Sequence, residues 1–152
     1  MDCSLENLIY SAARRSLEQQ DSDLSELRTR TSTLVAATTL SASFLGAASI
    51  SRNAPAWAVA PAIGSFIATG GLAGWVLWPA QVLFALDARE MHRTLFADRD
   101  APSNLMLRAA FGLHEAYVSN RAIIARRERV FRLALLALGT QTLLWALALM
   151  LA

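Results

Sequence analysis

The sequence predicts an all-α integral membrane protein with three transmembrane helices, an N-terminal amphipathic helix and a long cytoplasmic helical segment. Three observations carry that prediction. Thr33 to Ile50 and Ala54 to Leu86 are uncharged with only Ser51, Arg52 and Asn53 between them, and Leu133 to Ala152 is uncharged and rich in leucine and alanine. Crossing a bilayer takes about 20 predominantly apolar residues, and each stretch is long enough. The 152 residues then make one membrane domain: a cytoplasmic amphipathic helix over 1–30, spans over 31–51, 54–79 and 130–152, and cytoplasmic helices over 80–129. On length alone, Val130 to Ala152 also reads as a packed cytoplasmic helix.

Orientation follows from the basic residues. The net charge is only +2, yet all 14 basic residues are arginine and they are unevenly placed. Arg14, Arg15, Arg28 and Arg30 precede the first span, Arg52 alone separates the first two, and the rest fall between the second span and the start of the third. Because arginine-rich flanks stay inside, the N-terminus and the central segment are expected in the cytoplasm, with the first turn and the C-terminus outside. No signal peptide is expected, since the first apolar run begins behind a charged leading segment. Cys3, the single cysteine, forms neither an internal disulfide nor a metal cluster and reads as a bystander thiol.

The first segment, with Ser4 as its cap, carries a seam of alternating four- and three-residue spacing: Ala13, Leu17, Gln20, Leu24, Leu27, Thr31 and Leu34. Such a seam needs a partner helix, either the protein's own central helix or a second copy. On a helical wheel the first span gathers Thr31, Thr38, Thr39, Ala42, Ser43, Gly46 and Ser49 on one side and Leu34, Leu40, Phe44 and Leu45 on the other. The small, hydroxyl-rich side is expected to meet protein or water.

In the second span Trp57 and Trp78 lie about 32 Å apart along a helix and suit the two interfacial belts. Gly70 and Gly74 form a GxxxG pair and Gly64 extends the small-residue ladder, a signature of helix packing within a hairpin or between subunits. Trp78 and Pro79 mark an exit, followed by a helix over Gln81 to Phe96 and a loop over Asp98 to Pro102. Ser103 is the expected cap of an unbroken helix from Asn104 to Leu151.

Enzymatic chemistry is not indicated. His92 and His114 have no partner at ligand spacing, and no nucleophile stands beside a base, so neither a metal site nor a cofactor is expected. Arg121, Arg126, Arg127 and Arg129, with Arg132, encircle the entry to the third span. They satisfy topology and anionic headgroups or bind a phosphorylated or acidic ligand. Gln141, near the middle of that span, either bonds to a neighbouring helix or lines a pore.

Several stretches together are similar to a family of small membrane proteins common in actinobacteria: SLEQQDSDLSELRTRTSTLVAATTLSASFLGA into the first span, LWPA and FALDARE after the second, HEAYVSNR in the central helix, and VFRLALL with Trp145 in the third. Their layout resembles the SLATT-type transmembrane effectors of anti-phage defence, which accompany nucleotidyltransferases or nucleotide-sensing proteins. The resemblance implies a homo-oligomeric pore, gated by a nucleotide-type signal, that depolarises the bacterial inner membrane. The third span and the lack of an attached sensor domain depart from that layout. A tetramer is the first expectation, with Thr38, Thr39, Ser43, Gly46 and Gln141 as pore-lining candidates. The competing readings are a non-conducting membrane anchor that recruits a cytoplasmic partner and a transporter accessory subunit.

Overall fold

A computed structural model describes residues 5–79 and 102–152, and among them the chain is all-α. α1 spans Leu5–Ser51, α2 spans Ala56–Leu77 and α3 spans Pro102–Met150. All three are long and apolar enough to cross a membrane. The expected cap Ser4 and the segment from Gln81 to the loop at Asp98 lie outside the described residues. One expected boundary disappears: the amphipathic segment and the first span are one uninterrupted helix, while the segment after Pro102 runs unbroken into the third span as expected. α3 begins at Pro102 rather than at a Ser103 cap. Proline is well placed there, because the first helical position has no intrahelical use for its N–H.

The chain divides into two compact units, Met1–Ser25 with Ala80–Ala125 and Glu26–Pro79 with Arg126–Ala152. In the first, Leu17, Gln20 and Leu24 of the α1 seam are buried, as are Ala109, Ala110, Leu113 and Asn120 of α3. Gln20 donates from Nε2 to the Tyr117 carbonyl at 3.0 Å, so the partner of this part of the seam is the protein's own α3.

In the second unit, Leu34, Ala73 and Ala134 meet at the centre, one from each helix, with Leu72, Phe131 and Leu138 packed around them. The seam of α1 continues here through Leu27, Thr31, Leu34, Thr38 and Ser49, all buried. This differs from the helical-wheel division. Leu34 joins the buried side, whereas Thr39 and Ser43 fall outside. The reason is physical: against lipid, leucine gains little by burial, so helix geometry rather than polarity decides which residues meet.

The turn between α1 and α2 is built by its last residues. The Ala54 N–H reaches back to the Ser49 carbonyl at 3.0 Å and the Asn53 N–H to the Ile50 carbonyl at 3.0 Å, the paired bonds of a Schellman stop. Asn53 takes the left-handed conformation this requires, with φ 58°, and Pro55 then prevents α1 from continuing. Asparagine tolerates that region better than most side chains. Asn53→Gly is therefore expected to unfold at the wild-type temperature or above it in detergent micelles. Asn53→Val should lose about 1–2 kcal/mol, and a valine variant as stable as wild type would contradict this account.

Candidate functional site

The pore-lining candidates of the second unit separate into an inner and an outer set. Thr38, Gly46 and Gln141 are inside. The Gln141 side chain is fully buried and donates from Nε2 to the Thr38 carbonyl at 3.3 Å, while its Oε1 has no protein partner. Gly46 lies under the Trp145 indole, where an added Cβ would stand 3.2 Å from Trp145 Cη2. Thr39 and Ser43 face outward. The structure thus brings Thr38, Gly46 and Gln141 together in the contact of α1 with α3 and leaves Thr39 and Ser43 as a separate pair on the outer face.

That outer face is continuous. Ser32, Ala36, Thr39, Ser43 and Ala47 are all exposed and recur at intervals of three and four, beside the bulky Leu40 and Phe44. Four hydroxyls of the span are spent on their own helix: Thr31, Thr38, Thr39 and Ser49 each donate to the carbonyl four residues earlier, at 2.7 to 2.9 Å. An O–H used in this way leaves its oxygen lone pairs as the outward-facing feature.

α2 presents its glycines to the outside. Gly64, Gly70, Gly71 and Gly74 have nothing within 4 Å of an added Cβ, so none of them is used in packing within the protomer. α2 meets its neighbours instead through Ala58, Ala62, Thr69, Ala73 and Val76, and Ser65 donates to the Ala137 carbonyl of α3 at 3.1 Å.

The arginine cluster is likewise divided. Arg127 is 5% exposed, and its guanidinium forks onto the end of α2, with Nη1 donating to the Val76 carbonyl at 2.9 Å and Nη2 to the Trp78 carbonyl at 2.5 Å. α2 has no basic residue in its own last turn, so Arg127 supplies from α3 the donors that its final carbonyls need. Arg126 lies over the Trp75 ring, 5.1 Å from its centroid. Arg121 and Arg129 are exposed, and Arg132 is paired with Glu128 one turn earlier.

Wheel reasoning missed the Arg127 clamp, although spacing carries its signal. Leu113, Asn120, Arg127, Ala134, Gln141 and Ala148 are all buried and follow one another every seven residues, so the buried polar residues Asn120, Arg127 and Gln141 occupy one repeating seam position.

Comparison with protein-family models, curated proteins and solved structures finds no match to this chain.

Proposed function

We propose that the protein is a homo-oligomeric, pore-forming effector of the bacterial inner membrane, with its N-terminus and the 80–129 segment in the cytoplasm and its C-terminus outside. The carrying observation is the outward pair Thr39 and Ser43 within the continuous small-residue face of α1. Against lipid such a face gains nothing, whereas small residues let neighbouring helices approach and hydroxyls line water. The open glycine face of α2 supports association between copies, with four as the starting stoichiometry. In this arrangement the conduction path is lined by Thr39 and Ser43, while Thr38, Gly46 and Gln141 hold the wall from behind. A nucleotide-type signal made by a neighbouring nucleotidyltransferase, implied by the effector resemblance, gates the pore. In this reading the exposed Arg121 is the member of the cluster that meets it.

Because the Thr39 hydroxyl donates to Val35, the ring it forms offers oxygen lone pairs and favours cations over anions. Purified protein in planar bilayers, with and without candidate nucleotides, is expected to give cation-selective currents. Thr39→Leu and Ser43→Leu should abolish them by dewetting the constriction while leaving assembly intact. Wild type that stays silent in every condition, or leucine variants that conduct normally, would overturn the pore. The non-conducting anchor then takes its place, a reading favoured by the burial of three of the five pore-lining candidates within the protomer.

A further inference from the structure

A charged group stands at one end of the outer face of α2. Arg126 of α3 lies over the Trp75 ring, 5.1 Å from its centroid, and its side chain is exposed. A cation on a ring face spends none of its N–H donors on that contact, so the guanidinium keeps its fork for an acceptor. Among the described residues no carboxylate pairs with it: Glu128, the acid nearest in sequence, is taken by Arg132. Arg127, next along α3, adds a second positive charge whose own donors are used on the Val76 and Trp78 carbonyls. This end of α2 therefore favours a negatively charged acceptor and repels an ammonium.

Below Trp75 the face is apolar for the length of the span. Trp57, Ala60, Gly64, Ala68, Gly71 and Trp75 follow at intervals of three and four and are all exposed. The two indoles stand about 27 Å apart along the helix, close to the depth of a hydrocarbon core. Between them no side chain of the row is larger than a methyl group, and an added Cβ at Gly64 or Gly71 would meet nothing within 4 Å. Gly70 and Gly74, the pair assigned to subunit contact, lie about a quarter-turn away.

We propose that each protomer binds one anionic phospholipid on this face. Its phosphodiester accepts from Arg126 at the Trp75 end, and one acyl chain lies along Gly71, Ala68 and Gly64. Arginine suits a phosphate because its planar fork donates two parallel bonds, and the ring beneath holds that fork at the interface, where tryptophan itself is favoured. A chain on glycine and alanine gains close contact that a bulkier row would deny. With the orientation proposed above the lipid lies in the cytoplasmic leaflet. The site itself needs neither a pore nor a subunit contact.

Native mass spectrometry of the full chain, released from detergent micelles after incubation with phosphatidylglycerol or phosphatidylcholine, tests it. Wild type is expected to retain one phosphatidylglycerol per protomer, about tenfold more tightly than phosphatidylcholine. Arg126→Gln should remove that preference, and Arg52→Gln, at the other end of the span, should leave it unchanged. Gly71→Leu should weaken retention of both lipids by obstructing the chain, without lowering the unfolding temperature, because its side chain enters open space. Glycerophosphate, the headgroup without chains, should not be retained. No retained lipid, equal retention of the two, or wild-type preference in Arg126→Gln would overturn the site, as would loss of the preference in Arg52→Gln. Retention of glycerophosphate would overturn it in favour of a free phosphate. A Gly71→Leu variant that dissociates while holding its lipid would do so too, since the row would then belong to another copy of the chain. The readout involves no conductance, so its failure leaves the pore to be judged separately.

Discussion

Replacing Arg127 with methionine is expected to destabilise the protein by about 2–4 kcal/mol, because two carbonyls at the end of α2 lose charge-assisted donors together. Methionine keeps much of the volume and removes only the fork. Arg127→Lys should recover part of the loss, since one compact ammonium cannot reproduce two parallel N–H bonds. Thermal and denaturant unfolding in micelles measure both. The neighbouring Arg121→Met, on an exposed side chain, provides the control and should leave the unfolding temperature nearly unchanged. If Arg127→Met unfolds with wild type, the carbonyls are satisfied without it and the clamp is incidental.

The second large effect concerns glycine. Gly46→Leu is expected to cost about 1–3 kcal/mol or more by overpacking, because a Cβ added there would stand only 3.2 Å from the Trp145 ring, leaving the larger side chain no room. Gly46→Ala requires the indole to give by only a few tenths of an ångström and should be milder. Gly70→Leu and Gly74→Leu enter open space and should leave protomer stability within about 0.5 kcal/mol. Their effect should appear instead in native mass spectrometry as smaller assemblies. A wild-type oligomer in both variants would remove the α2 glycine face from the proposed subunit contact, and a fully stable Gly46→Leu would contradict the packing of Trp145.

The all-helical architecture and its three apolar helices were legible because hydropathy and length act over whole segments. The split of Thr38 from Thr39 was not. The two are chemically identical neighbours, and only the register of the seam turns one inward and the other outward. The arginines failed to sort themselves for a related reason. Arg126, Arg127 and Arg129 satisfy the same topological preference, whereas the clamp depends on where α2 ends, at Leu77 before Trp78 and Pro79. Gln141 was recognised as needing a partner, but that its acceptor is a backbone carbonyl follows from proximity alone. The heptad reading did transfer directly: the seam identified at Leu17, Leu24 and Leu27 is the buried face of α1.

The hydrogen bonds of Gln141, Ser65 and Arg127 between α3 and its neighbours in the second unit end on backbone carbonyls, and this bears on the mechanics of the contact. Carbonyls along a helix face recur at every turn, about 5.4 Å apart. Gln141 on Thr38 and Ser65 on Ala137 therefore each have an equivalent acceptor one notch away, as in a ratchet. Arg127 has none in the direction of Pro79, because Val76, Leu77 and Trp78 carry the last carbonyls before it. It works as an end stop in that direction: rotation or tilt of α3 can preserve its grip, while a one-turn translation past the end of α2 cannot. A slip of α3 beyond the end of α2 would therefore break the Arg127 fork, whereas pivoting about that end would keep it.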